Sequence, residues 1–483
     1  MKRFMDLKKT ISLAVLSVFA VMISMNIGIF WDNVLFVSKM GNPLFYNGIF
    51  RWNSIPLESD PGHPPFLATY MAIGWRLFGR SLSTSHWMMF PFIFGLLWQV
   101  CSFICYFIKE KSFQFWAFIL VIADPTFLSQ LVQVNPELIQ LFFFFMALNA
   151  TLQKKVSLKI IGLAFLGIVT YRGMMLCAGI FLIDVLMHIF IREENLKSFF
   201  TKQIITTYLI AAIPAVLYLT WRITAKGWIS SHPLETWGNA WLFSSVGDFL
   251  RNLIRNILVL GQRFIDFGRL IPILFILITL YLKRREIEWV KIKPVLLIIF
   301  FSTIVICIIS LIIRSPMGHR YFIPSFLSLG LLSFLLINEY KYKRIIYLGL
   351  LISLLSGNFI VYSDSYSQGW DASLAHMPYW KLRRNAIEYM DNRHLPVSET
   401  ASFFPNCTSI DNVDLNGDMR SFISFSGTEN YVFYSNVYNL NDDELELLHH
   451  NYHILESFNS GKVRVEIMQR NNNVNFSSQY SPN

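Results

Sequence analysis

Against an apolar background, four short stretches of this chain gather side chains that can do chemistry. FWDN places Asp32 beside Asn33, and SDPGHPP sets Asp60 ahead of His63, Pro64 and Pro65. QVNPEL holds Gln133, Asn135 and Glu137, and GHRYFIP holds His319, Arg320 and Tyr321 before Pro324. A positioned carboxylate can accept the proton of an attacking hydroxyl. An arginine can grip phosphate oxygens through two parallel N–H groups. Asp60 with His63 is a candidate pair for a divalent cation, although two ligands without a third do not make a cage. Each stretch also has a plain structural use: Asp32 as a solvated helix end, His-Pro-Pro as a turn, an arginine as an interfacial anchor.

The elements around these residues decide between such uses. Of 483 residues, 54% are hydrophobic and 15% charged, outside the range of soluble domains, so the chain reads as an integral membrane protein. The formal net charge is +10, but the basic residues recur in small groups between apolar runs and form no single patch, so no nucleic-acid partner is predicted. Runs long enough to cross the hydrocarbon core lie near 11–31, 86–108, 113–131, 137–153, 158–172, 174–191, 203–221, 264–282, 294–313, 321–337 and 345–362, about eleven spans. The start MKRFMDLKK resembles a signal sequence, but the apolar core behind it is too long, which predicts a retained first span. Cys101, Cys105, Cys177 and Cys307 fall in apolar runs and Cys407 stands alone, so no disulfide framework is predicted.

Alternate connections carry the lysine and arginine groups, from Lys8/Lys9 to Lys341/Lys343/Arg344, which makes their face cytoplasmic by the positive-inside rule. The opposite face then receives the loops 32–85 and 222–263, the short turns near 131–136, 171–173 and 314–321, and everything beyond residue 363. The chain divides into a transmembrane domain, 1–362, and an extracytoplasmic domain, 363–483, which holds 8 Lys and Arg against 15 Asp and Glu. Within the latter, YVFYSNVY and VRVEIM alternate like strands beside the helical KLRRNAIEYM, predicting a small α/β or α+β fold, and NNNVNFSSQYSPN reads as a frayed end. In the first outer loop, Pro64 and Pro65 predict the start of a helix running FLATYMAIGWRLF. Trp52, Tyr70, Trp75 and Phe78 suit an amphipathic element in the headgroup layer.

An acid directly after span one, an amphipathic loop, then D-P-G-H-P-P and Leu77-Phe78-Gly79 before span two resemble the opening of the polyprenyl-phosphate-dependent GT-C glycosyltransferases. The likeness is greatest to the branch of protein O-mannosyltransferases and lipid A aminoarabinose transferases. It continues through ADPTFLSQLVQVNPEL, where Asp124-Pro125 falls late in span three, and through RSPMGHRYFIPSF, covering roughly residues 10–340. The acidic domain is in the family's usual place but has no matching motif. Asn33 stands where the family usually has a second acid.

The resemblance implies an all-α polytopic fold and transfer of a sugar from a polyprenyl-phosphate donor to a lipid, glycan or protein acceptor. Asp32 is then the base of an inverting single displacement. Among the outer-face cations Arg172, Arg222, Lys226, Arg263, Arg269, Arg314 and Arg320, those at the donor phosphate are Arg320 first, with His319 and Tyr321 in the same turn, and Arg172 second. Glu137 opens an apolar span and needs a partner such as Arg172, a metal or a sugar hydroxyl. Asn33, Asp60, His63, Pro64, Pro65, Gln133 and Asn135 would shape the loop or the acceptor site. No cofactor is assigned; a divalent ion is a candidate at Asp60 with His63 or as the partner of Glu137. A bacterial inner membrane, a cytoplasmic N-terminus and a periplasmic C-terminal domain are expected. Two rivals remain: a lipid-linked sugar transporter or flippase, against which the absence of inverted repeats and the large acidic tail count, and a catalytically silent subunit, which Asn33 allows but Asp32 beside a basic outer turn counts against.

Overall fold

The computed structural model describes residues 7–229, 232–234, 239–314 and 317–471; Lys2, Arg3, Ser315, Pro316 and all of the Asn-rich end after Asn471 lie outside the described residues. Among the described residues, six helical segments are long and apolar enough to cross a membrane: Leu7–Ser24, Leu82–Phe107, Tyr171–Phe190, Lys202–Lys226, Trp289–Ser310 and His319–Ile337. Two bent pairs each pass the same test as a unit, Lys111–Ile122 with Pro125–Leu131 and Val246–Ile265 with Leu270–Leu282. The protein is thus an integral membrane protein with six to eight such segments among the described residues. The remaining apolar runs form the shorter helices Pro136–Leu152, Val156–Val169 and Lys343–Ser356, so the expected count of eleven spans is not reached on length alone.

Three runs depart from their expected form. The first helix stops at Ser24, and the residues after it dock against the C-terminal region. The Ile29 N–H donates to Val413 O at 2.8 Å, and Phe30 stacks on His376 with ring centroids 4.5 Å apart. Asp32 therefore lies on a turn beyond the helix, after Trp31 with φ +50° and before a π-helical turn, Leu35–Lys39. A left-handed tryptophan costs about 1–2 kcal/mol, so the turn is held by its surroundings.

The run 113–131 breaks before Pro125, where the two helices meet at 81°. Proline cannot donate within the helix, and the Asp124 carboxylate instead caps the new one by accepting the Phe127 N–H at 3.0 Å. The run 264–282 is shorter than expected because Val246–Ile265, read from sequence as loop, is a helix that meets Leu270–Leu282 at 91°. At that joint Gly268 has φ +81°, and a Cβ there would collide with the Ser353 carbonyl. Val246, Leu250, Ile254 and Leu258 are exposed along one face. On the other, buried Asn256 donates to the Leu311 and Ile313 carbonyls, both at 2.9 Å, at the end of Trp289–Ser310. An apolar outer face and a polar inner one suit a helix lying along the membrane interface.

Pro65 precedes the helix Phe66–Phe78. Trp75 is buried and donates its indole N–H to Ser85 Oγ at 2.8 Å, so it is a packing residue and not the headgroup anchor its type suggested. Of the four aromatics expected in the headgroup layer, Phe78 is the one that is largely exposed.

The C-terminal region is α+β. Helix Tyr379–Asn392 packs on a five-stranded mixed sheet in the order β2-β1-β3-β5-β4, with β1 Thr400–Ser402, β2 Ile423–Ser424, β3 Tyr431–Ser435, β4 Tyr452–Ser460 and β5 Val463–Arg470. β1 runs parallel to β2 and β3, and β5 pairs antiparallel with β3 and β4. Arg80 clamps Asp411 through two hydrogen bonds, of 2.9 and 2.5 Å, tying this region to the first loop.

Candidate active site

Helix caps bring the polar stretches together. Asn135 caps Pro136–Leu152 by accepting the Leu138 N–H at 2.7 Å, and Thr170 caps Tyr171–Phe190 by accepting the Gly173 N–H at 3.0 Å. Each cap holds the first turn of its helix, and those turns carry Glu137 and Arg172. Arg320 comes from the short turn His319–Phe322, ahead of Pro324 in the first turn of the next helix.

Arg320 stands at the centre. Its Nη2 contacts the Asp32 carboxylate, its Nη1 lies 2.5 Å from Asp371 Oδ2, and its Nε lies 3.1 Å from Glu137 Oε1. The same Glu137 oxygen accepts from Arg172 Nη2 at 2.6 Å, and the Arg172 guanidinium lies 3.9 Å from the centre of the Tyr321 ring. Side-chain exposure is 2% for Glu137 and 6% for Arg320 but 38% for Asp32. Glu137 Oε2 and Arg172 Nε are buried with no hydrogen-bond partner among the described residues. A buried polar atom left so costs about 1–3 kcal/mol, which fits a site with hydrogen-bonding capacity reserved for a ligand.

These residues end a cavity of about 530 Å³. Asp32, His63, Arg172, Arg320 and Tyr321 form its polar end, and Leu35, Phe36, Met175, Leu219, Ile309 and Ile313 line its apolar wall. His63 Nδ1 accepts the Tyr171 N–H at 3.3 Å, which assigns the proton to Nε2. Burial, followed by the charges of Arg172, Arg222 and Arg320, pulls its pKa down to about 3, so His63 is a neutral donor.

Several expected site residues serve elsewhere. Asp60 is buried and accepts from Arg222 Nη1 at 2.8 and 3.0 Å, while Arg222 stacks on Trp228 at 3.9 Å. Asp60 and His63 thus take different partners and do not form the cation pair their spacing suggested. No group of three or more His, Cys, Asp or Glu among the described residues is arranged to hold a metal ion. Pro64 and Pro65 are buried under the helix they precede. Asn33 Nδ2 donates to Gln133 Oε1 at 3.3 Å, Gln133 donates to Ser129 at 3.0 Å, and Asn135 donates to the Gln130 carbonyl at 2.8 Å. These three buried amides fasten the loop behind the cavity and do not line it. His319 turns away, with Nε2 3.1 Å from Asp266 Oδ2 and its ring against Phe267. Among the other cations, Arg269 pairs with Asp124, Arg314 with Asp248, Arg263 with the Met317 carbonyl and Lys226 with the Ile55 carbonyl.

Asp371 had no sequence signal: GWDAS is a lone acid in a region without motifs. Tertiary packing brings it to the site, where burial raises its pKa against the opposing charge of Arg320.

The fold is thus a helical membrane bundle with an acid-bearing loop after its first helix and an α+β C-terminal region. Two crystal structures of ArnT from Cupriavidus metallidurans match it over nearly the whole chain. The one bound to undecaprenyl phosphate has a TM-score of 0.51 and 12% identity, covering 96% of this chain and 98% of that one. The apo structure has a TM-score of 0.49 and 11% identity, covering 95% and 97%. No protein-family model matches the chain, nor does any curated protein. At this identity the likeness is one of fold, and it is the fold implied by the resemblance to the aminoarabinose-transferase branch.

Proposed function

We propose that this protein is an integral-membrane glycosyltransferase that moves a sugar from a polyprenyl-phosphate donor to a lipid, glycan or protein acceptor at the extracytoplasmic face. The observation that carries this reading is the cavity of about 530 Å³ whose apolar wall ends at Arg172, Arg320 and Asp32. A prenyl chain suits the wall and a phosphate suits the two guanidiniums. The undecaprenyl phosphate bound by the ArnT structure of similar fold supports the same ligand class here.

In the reaction, the acceptor hydroxyl oxygen attacks the anomeric carbon on the face opposite the phosphate. The bond from that carbon to the phosphate oxygen breaks, its electron pair leaves with the phosphate, and the configuration inverts. Asp32 takes the acceptor proton, and Arg320 and Arg172 stabilise the negative charge gathering on the leaving phosphate. The distribution of basic residues supports a cytoplasmic N-terminus and an extracytoplasmic C-terminal region, and the similarity of fold to a bacterial ArnT supports a bacterial inner membrane, whose outer side is the periplasm.

The test is transfer by the full chain in nanodiscs, supplied with radiolabelled polyprenyl-phosphate sugars and envelope acceptors, wild type against Asp32→Asn. Transfer by wild type that collapses in the variant supports the reading. Donor binding without turnover in either protein, across the whole panel, would favour the transporter or the silent subunit.

A further inference from the structure

Asp371 belongs to the segment between the last long helix and the sheet, yet its carboxylate reaches the cationic end of the cavity. Its side chain is 13% exposed, and Oδ2 lies 2.5 Å from Arg320 Nη1. Its backbone is fastened to the membrane bundle: Gln130 Nε2 donates to the Asp371 carbonyl and Thr126 Oγ1 to the Ala372 carbonyl, both at 2.9 Å. Gln130 and Thr126 lie on Pro125–Leu131, whose capping Asp124 is gripped by Arg269 at 2.7 and 3.0 Å. Asp371 is therefore set on the helices themselves and does not depend on the sheet to reach Arg320.

The three carboxylates around Arg320 are not equivalent. Glu137 and Asp371 are enclosed, whereas Asp32 is 38% exposed and lines the cavity. An arginine side chain has many rotamers, and the two enclosed acids hold this one in a single orientation with Nη2 turned to the cavity. Asp32, at that outer edge, is the partner an incoming phosphate can replace.

We infer that Asp371 is a positioning residue for the donor phosphate: it holds Arg320 by Nη1, so that the Nη2 edge can exchange Asp32 for a phosphate oxygen. This rests on the glycosyltransferase reading above. Its consequence is an ordered site, in which donor binding both fills the phosphate position and releases the Asp32 carboxylate to serve as base.

The experiment titrates undecaprenyl phosphate into the full chain in nanodiscs, for wild type, Asp371→Ala, Asp371→Asn and Asp411→Asn. The last variant breaks the Arg80 tie of the C-terminal domain without touching Arg320. The expected result is that Asp371→Ala weakens binding about tenfold and raises the donor KM in step, with kcat changed by less than about threefold. Asp371→Asn keeps an oxygen acceptor for Nη1 and recovers most of the affinity, and Asp411→Asn binds as wild type. Unchanged binding by Asp371→Ala overturns the inference and leaves the glycosyltransferase reading standing. Equal weakening by Asp411→Asn also overturns it, because domain docking would then account for the effect. Absence of binding by wild type overturns both.

Discussion

Asp32 and Arg320, 288 residues apart in the chain, are in direct contact at the mouth of the cavity. The base proposed for the acceptor is thus masked by the cation proposed for the donor phosphate. The masking is shallow, since Asp32 is partly exposed and pairs at that degree of exposure contribute about 0–1 kcal/mol.

Asp32→Asn accordingly separates binding from chemistry. Transfer should fall by about 10²–10⁴, the usual contribution of a general base. Affinity for undecaprenyl phosphate should be retained or rise up to about fivefold, because the competing charge is gone. Titration and turnover measured on one preparation check both halves; a large loss of affinity would place Asp32 in phosphate binding.

Arg320→Lys is not a conservative change. A lysine is a point donor and cannot face Asp32, Asp371 and Glu137 at once. The variant should lose phosphate affinity nearly as fully as Arg320→Ala. Both should unfold at lower temperature, since removing one partner of a buried ion pair costs about 3–5 kcal/mol. Binding by the lysine variant at wild-type strength would show that charge alone suffices.

Asp60 and Arg222 form a buried lock behind the cavity, with side-chain exposure of 2% each. Asp60→Ala should destabilise by about 3–5 kcal/mol, and adding Arg222→Ala to it should cost less than the two single losses combined. Thermal unfolding of the four proteins of the cycle measures this. Divalent cations should not rescue the Asp60 variant; rescue would restore the metal reading of Asp60 and His63.

That reading shows where sequence spacing fails. Asp60 and His63 are close in sequence, but Gly62 between them has φ +86°, and the turn sends one side chain to Arg222 and the other to Tyr171. Asp32, Arg172 and Arg320 were legible because each borders an apolar run, so topology alone put them on one face. That Glu137 needs a partner was legible because a buried carboxylate is costly, but the sequence left Arg172, a metal and a sugar hydroxyl open, and the structure places Arg172 and Arg320 there. Asp371 was not, since no periodicity or motif marks it and only packing of the chain after Ser356 brings it to Arg320. Helix Val246–Ile265 was read as loop because Asp248, Arg251, Arg255 and Arg263 lower its hydropathy. A test at the helical period, with Val246, Leu250, Ile254 and Leu258 spaced four apart, would have found its apolar face.

His63 should be silent in the pH profile. Its folded pKa of about 3 lies below the ordinary 6.5, so it stays neutral throughout the working range, and kcat/KM should show no His63 limb near pH 6.5. The unfolded chain takes up this proton below about pH 6.5, so the stabilising difference is full above that value and is lost as pH falls toward 3. Wild type should therefore lose more stability than His63→Gln between these limits, as read by thermal unfolding at several pH values. Parallel curves would show that the histidine protonates in place.

The Asp411–Arg80 clamp, between the first loop and the C-terminal region, supplies a second pH test. Burial alone would raise the Asp411 pKa, but the Arg80 hydrogen bond, the Gly417 N–H at 2.7 Å and the Arg80 charge outweigh burial and the nearby Asp418, so it lies below the ordinary value. A depressed carboxyl stabilises the fold above the unfolded pKa of about 3.9, and that contribution is lost as pH falls through the folded value. At pH 7, Asp411→Asn should lower stability by about 1.5–3 kcal/mol, the range for hydrogen bonds to charged groups. Below about pH 4 the gap between variant and wild type should begin to narrow, closing as pH falls through the folded value. Limited proteolysis of the C-terminal domain and thermal unfolding, each at pH 7 and pH 3, measure it. A gap equally wide at both would mean that the clamp holds without the Asp411 charge.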